Sequence, residues 1–321
     1  SDDRIDGVDL IKFLRGEDKS VPHEALFWRA GPNRAVRFKN WKLWKVNKTT
    51  RDRALLTPND ELIMGVANRN SIAWGIARAL SQHGAELAFT YQGEALERRV
   101  RPLAETVLSE LVLPCDVEDV ASVDAVFASL REAWGGLDFV VHAIAYSDKE
   151  ELKGRYVDTS RDNFLRTLDV SCYSFTAVAQ RAAALMNNGG SLISLSFFGA
   201  ERVMPNYNVM GVAKAALEAS IRYLAVDLGL LDIRVNGISA GPMRTLAGSA
   251  IGGAREILRR SQEIAPLGRT LCQEDIGGAA LYLLSDLSRS VTGEIHHVDS
   301  GYNIVGMSRT ANGEGSEQPK F

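Results

Sequence analysis

The sequence predicts an α/β fold: a doubly wound parallel sheet with helices on both faces, preceded by an appended hairpin segment. Two observations carry this. From residue 61 onward, short apolar runs of strand length alternate with amphipathic stretches of helical length. The runs are almost continuously apolar, as strands covered on both faces must be. A third observation separates the front of the chain. Residues 1–60 are net basic and hold Trp28, Trp41 and Trp44, three of the five tryptophans, whereas the remainder is net acidic.

The elements follow in order. Residues 33–46 alternate in polarity around Lys39 and Asn40, as a β-hairpin would. Apolar runs at 62–65, 87–90, 111–114, 139–144, 191–196, 233–238 and 295–298 have the length of buried strands. Helical periodicity occupies 71–82, 123–133, 161–186, 207–228 and 274–284. Residues 308–321 are polar and glycine-containing and read as a disordered tail. The chain therefore reads as an appended segment (1–60), one nucleotide-binding domain (61–307) and a tail.

Composition narrows the function. Hydrophobic residues make up 45% and charged residues 24%, as in an ordinary globular protein. No apolar run reaches the length of a membrane-spanning helix, and no secretory leader is evident. A net charge of -3 carries no nucleic-acid signature. Cys115, Cys172 and Cys272 are widely separated and odd in number, which predicts a reducing compartment, the cytoplasm, and no metal site.

The first strand ends at Gly65, and Gly65-x5-Ser71-x3-Gly75 follows. A strand, a turn and a helix N-terminus make an anion site, since backbone N–H groups and the helix dipole face the ligand. Gly65 permits the turn, Ser71 is expected to cap the helix and leave the Ile72 amide to a pyrophosphate, and Gly75 is expected to let the helix approach the sheet. The motif is not Gly-x-Gly-x-x-Gly, and an ordinary βα turn explains it equally well. With the strand alternation it predicts a Rossmann-like domain. Gln92, ending the second strand, is neutral: an acid there would hold an adenosine ribose and an arginine a 2′-phosphate. The balance favours NADH, although Arg98 and Arg99 stand nearby. Asp116 and Val117 end the third strand, where an aspartate can accept from adenine or cap the next helix. Ile144 and Ala145 end the fourth, where small residues let a cofactor pass.

Tyr207 and Lys214 lie seven residues apart on a predicted helix, so both are expected on one face, with the ammonium lowering the phenol pKa. The bland alternative is a buried tyrosine and a snorkelling lysine on a core helix.

Together, Tyr207-x6-Lys214, the Gly65–Ser71–Gly75 turn, the Ser239-Ala-Gly-Pro-Met-Arg-Thr245 segment and Val298-Asp-Ser-Gly-Tyr302 resemble bacterial enoyl-acyl-carrier-protein reductase, a divergent short-chain dehydrogenase/reductase, over residues 61–307. Commoner members of that superfamily use Tyr-x3-Lys; Gly211 occupies that place here. The resemblance implies hydride transfer from NADH to a trans-2-enoyl thioester on acyl carrier protein, in the final step of fatty-acid elongation, by a homotetramer. It implies that Tyr207 bonds the thioester oxygen, that Lys214 holds the nicotinamide ribose, that Met243 and Thr245 touch the cofactor, and that Ala145, Tyr146 and Phe197 shape the acyl site. Phe197 stands where many members have a second tyrosine, and Ala145 where glycine is frequent. The alternatives are another short-chain reductase acting on a carbonyl, or a nucleotide-binding scaffold without turnover.

The glycine-rich stretch after Thr245 reads as a lid over the acyl chain, and Arg255, Arg259 and Arg260 as a face toward an acidic carrier or simply toward solvent. His296 and His297, adjacent on a strand, point to opposite faces and cannot share a metal. His142 reads as a packed histidine and Ser196 as a supporting residue. Residues 1–60, through the stretches 23–29 and 33–46, resemble the C-terminal portion of type I sulfatases, but the sulfatase nucleophile motif Cys-x-Pro-x-Arg occurs nowhere in the chain. The polar Asn59, Asp60 and Glu61 make a poor start for the first strand.

Overall fold

In the computed structural model of the chain, the described residues are the backbone of 25–30, 33–38 and 41–45, and residues 60–246, 248 and 252–307. Residues 308–321, read as a disordered tail, and residues 247 and 249–251 of the stretch read as a lid lie outside them. The chain divides between Thr57 and Pro58 into two compact units, taken separately below.

The first unit contains an antiparallel sheet of β1 (Ala25–Ala30), β2 (Asn33–Phe38) and β3 (Trp41–Lys45), with β2 central. Phe38 pairs with Trp41, the register expected of a hairpin about positions 39–40. A further strand, β1, pairs with β2 from Ala30–Asn33 outward, so the hairpin is part of a three-stranded meander.

The second unit is a seven-stranded sheet in the order β10-β9-β8-β7-β4-β5-β6, parallel throughout. Its strands are β4 (Asp60–Met64), β5 (Glu86–Tyr91), β6 (Leu111–Pro114), β7 (Phe139–His142), β8 (Gly190–Ser196), β9 (Ile233–Ala240) and β10 (Ile295–Val298). The central strands are buried along almost their whole length, and polar residues within them, Ser191, Ser194, Ser196 and Asn236 among them, are buried with the apolar ones. Helices α1 (Ile72–Gln82), α2 (Gly93–Thr106), α3 (Val120–Trp134), α4 (Arg161–Leu168), α5 (Ser174–Ala183), α6 (Asn208–Gly229), α7 (Ala254–Ile264) and α8 (Gln273–Leu284) complete it. No described helix is long and apolar enough to cross a membrane.

The chain runs outward from β4 through β5 to β6, then returns to β7 on the other side of β4 and continues to β10. Strand order therefore reverses between β4 and β7, which places a crevice at their carboxyl ends.

The structure corrects the single helix read over 161–186. α4 and α5 are separated by a π-helical turn, Asp169–Tyr173. α2, a helix not predicted from the sequence, is mostly polar and buries only Val100 and Ala104; Glu94–Arg98 and Glu97–Arg101 pairs lie on its exposed surface. The first strand begins earlier than its apolar run, at Asp60, which carries Glu61 fully into the interior.

Candidate active site

The crevice is built where β4 and β7 end. Gly65 has φ +98°, and a Cβ there would stand 2.1 Å from the Ala143 carbonyl oxygen. Only glycine fits this turn, which lies directly against the end of β7. Ser71 is at the N-cap of α1, but its hydroxyl turns back and accepts from the Ala67 and Asn68 amides at 3.0 and 3.1 Å. This corrects the expected helix cap: Ser71 holds the loop closed. The first turn of α1 receives no side-chain cap, so the Ile72 end of the helix keeps its anion-attracting character. Gly75 lets α1 approach α8, not the sheet: a Cβ there would lie 2.5 Å from Gln273 Cβ. Gln273 in turn donates to the Ser71 and Arg69 carbonyls at 2.7 and 3.0 Å.

Along the crevice, Gln92 is exposed at the start of α2. Asp116 accepts from the Glu118 amide at 3.0 Å, while capping of α3 falls to Asp119, so Asp116 is not the cap. Val117 and Ile144 are half-buried; Met243 and Thr245 follow β9, with Met243 lining a small cavity beside Asn70. A turn that excludes a Cβ and an uncapped helix end at a switch point fit a dinucleotide pyrophosphate.

Tyr207 and Lys214 lie on the segment that follows β8, where Lys214 reaches the Leu195 carbonyl near that strand's end. The expectation that helix periodicity aligns them is corrected. α6 starts at Asn208, and Tyr207 is its N-cap residue, outside the helix. Its flanking residues Asn206 and Asn208 have φ of 58° and 35°, a region asparagine tolerates better than most residues. Their side chains donate to the Gly252 carbonyl at 2.7 Å and the Glu151 carbonyl at 3.0 Å, which fixes the presentation of the tyrosine between them. The ring packs edge-on against Phe197 with centroids 5.1 Å apart. It is buried in a cluster with Leu152, Val209 and Met210.

Lys214 is 5% exposed and donates to the Leu195 carbonyl at 2.7 Å. Burial lowers its pKa to about 8, against the opposing influence of Cys172 and Glu218. Burial also pushes the Tyr207 phenol above its ordinary value, and the Glu218 carboxyl adds to this. The expected lowering by Lys214 is therefore overturned: the phenol is a neutral donor.

Tyr146 sits under the Arg166 guanidinium, 4.4 Å from the ring centroid, and its backbone is held by the Ser171 hydroxyl of the π turn on both N–H and carbonyl. Ala145 beside it is exposed. His142 is fully buried between the Ser194 and Ser174 hydroxyls, with its pKa lowered to about 3 by burial and by Lys214, so it remains a neutral packed histidine. His297 meets Glu201 at 2.6 Å while its neighbour His296 lies near the Tyr282 ring. On α7, Arg259 pairs with Glu256 and Glu263, and Arg260 with Glu256, so these two are neutralised within their own helix. Residues that sequence reasoning missed are Gln273, Ser171, Asn206 and Asn208. Only the asparagines, flanking a tyrosine after proline, left a visible signal.

A phosphate-accepting turn, together with a buried tyrosine and lysine near the strand ends of a doubly wound parallel sheet, defines a dinucleotide-dependent reductase of the short-chain type. A family model described as enoyl-(acyl carrier protein) reductase matches residues 65–303. Enoyl-(acyl-carrier-protein) reductase (NADH) 2 of Rhizobium meliloti is 67% identical over 246 residues, covering 77% of this chain and 92% of the relative. The crystal structure of FabI from Candidatus Liberibacter asiaticus is 57% identical with a TM-score of 0.78, over 79% of this chain and 99% of that one. The enoyl-(acyl-carrier-protein) reductase of Anaplasma phagocytophilum, solved in complex with NAD, is 55% identical with a TM-score of 0.77, over 82% and 98%. The chain belongs to the enoyl-acyl-carrier-protein reductase family.

Proposed function

We propose that residues 61–307 reduce trans-2-enoyl-acyl-carrier-protein to the saturated acyl form with NADH, the final step of the fatty-acid elongation cycle. The observation that carries this reading is the convergence of Tyr207, Lys214 and Phe197 at the end of β8, in a chain of this family. NADH, when bound over the strand ends, supplies the hydride for the β-carbon. Gly65, Ser71 and Ile72 would receive its pyrophosphate, Gln92, Asp116 and Val117 its adenosine, and Ile144, Met243, Thr245 and Lys214 its nicotinamide half.

Tyr207 donates its phenol proton in a hydrogen bond to the thioester oxygen, where negative charge gathers as the β-carbon is saturated. Its raised pKa suits this role, because the group remains a donor throughout. Lys214, braced on the Leu195 carbonyl, would hold the nicotinamide ribose hydroxyls with its ammonium. Phe197, Ala145 and Tyr146 line the acyl site, and the apolar cluster around Tyr207 keeps water from it.

We infer a homotetramer in the cytoplasm. Tyr223 and Val226 on the outer face of α6, and Leu230 just past its end, are 77%, 78% and 97% exposed, which supports association there. Residues 1–60, akin to a sulfatase tail, are read as adding no chemistry.

The test is loss of NADH absorbance with a trans-2-decenoyl thioester. Tyr207→Phe is expected to lower kcat by about 10²- to 10³-fold, with the KM for NADH little changed. Full activity in that variant, or turnover of a carbonyl substrate alone, overturns the reading.

A further inference from the structure

Three successive residues, the last two of β8 and Phe197 just after it, engage α6 or the Tyr207 at its N-cap. The Leu195 carbonyl accepts from Lys214, the Ser196 hydroxyl donates to the Glu218 carboxyl, and the Phe197 ring meets Tyr207. Lys214 and Glu218 are four residues apart on α6 and so share a face. Glu218 is 7% exposed, an unfavourable place for a carboxyl unless something there needs it. The mechanism above uses neither Ser196 nor Glu218.

We propose that Glu218, acting through Ser196, is a positioning residue for hydride transfer: it clamps the end of β8 against α6 and so sets where Lys214 and Tyr207 stand. The inference rests on the reductase reading. The geometric argument is that Leu195 and Ser196 are adjacent on one extended strand. A bond that fixes the Ser196 side chain therefore fixes the carbonyl to which Lys214 donates. Without it, the ammonium alone would have to hold the strand end and serve the ribose.

The charge argument runs in the same direction. Glu218 is faced by Ser196 from β8, Arg222 from its own helix, Glu201 after β8 and His297 from β10. Lys214 is faced by Cys172 from the π turn, Glu218 from α6 and His142 from β7. Glu218 raises the pKa of both Lys214 and Tyr207, so removing its charge lowers both.

The test uses the full chain with NADH and a trans-2-enoyl thioester, the fold of each variant being checked by circular dichroism and melting. Glu218→Gln keeps an acceptor for Ser196 but no charge; the alkaline limb of its kcat/KM profile is expected to move down by about half a pH unit or more. Ser196→Ala is expected to raise the KM for NADH by about tenfold with a smaller change in kcat, and Ser196→Thr, which keeps the hydroxyl, to restore it. An unmoved profile in folded Glu218→Gln, or an unchanged KM in Ser196→Ala, overturns the inference even if melting temperatures fall, since a purely structural bond would do only that. Should Glu218→Gln not fold, the two serine variants decide. Wild-type protein that fails to turn over the thioester overturns the reductase reading itself, a separate result.

Discussion

Tyr207 is presented by its neighbours more than by its helix. Asn206 and Asn208 hold left-handed backbone on either side of it and tie it to two different loops. The Tyr-x6-Lys spacing was legible as a pattern, but the direction of the phenol was not, because it depends on those two φ angles. Ser71 teaches the same lesson: its position was readable, whereas its hydroxyl chose two loop amides over the helix it precedes. Glu61 is the residue-scale anomaly. It is fully buried, neither carboxyl oxygen has a hydrogen-bond partner among the described residues, and burial with the nearby Asp138 and Asp60 raises its pKa well above the ordinary range. The folded protein therefore keeps this proton while the unfolded chain releases it near the ordinary glutamate pKa. Stability is expected to fall as pH rises from that value toward the folded one. Glu61→Leu should remove that slope and raise the melting temperature at neutral pH by roughly 2–6 °C, measured by calorimetry across pH. A melting temperature that drops would show that the carboxyl has a use.

Among elements, the parallel strands were the easiest to read, since burial on both faces favours short, mainly apolar runs. α2 was unreadable because its exposed, charged faces leave only two buried positions. The π turn was hidden inside a continuous helical pattern, yet it aims Ser171 at Tyr146. α8 matters beyond its packing. Its first residue, Gln273, donates to two carbonyls of the loop between β4 and α1, so an element late in the chain braces the phosphate end of the site. Gln273→Ala is expected to raise the KM for NADH several-fold, in keeping with about 1 kcal/mol for such bonds, and to leave kcat nearly unchanged. Steady-state kinetics at saturating thioester would check this; an equal fall in kcat would assign Gln273 a different role.

At the scale of the molecule, all the candidate site residues lie in the second unit, and the first contributes a small antiparallel sheet. A chain of residues 58–321 is therefore expected to match the full chain in kcat within about twofold. Side-by-side kinetics of the two would show it, and a large loss on truncation would mean the front segment serves the reductase. The division has a further consequence for how the protein is made. β4 is the first strand of the reductase unit to leave the ribosome but stands at the middle of the finished sheet, where Leu62 pairs with both Ala88 and Val140. Its second neighbour is synthesised only after two complete crossovers, so an apolar strand bearing a buried acid waits half-paired, with the basic upstream segment already extruded ahead of it. Folding of such a sheet is governed by these long sequence separations, and that waiting interval is when the nascent chain is most exposed to mispairing.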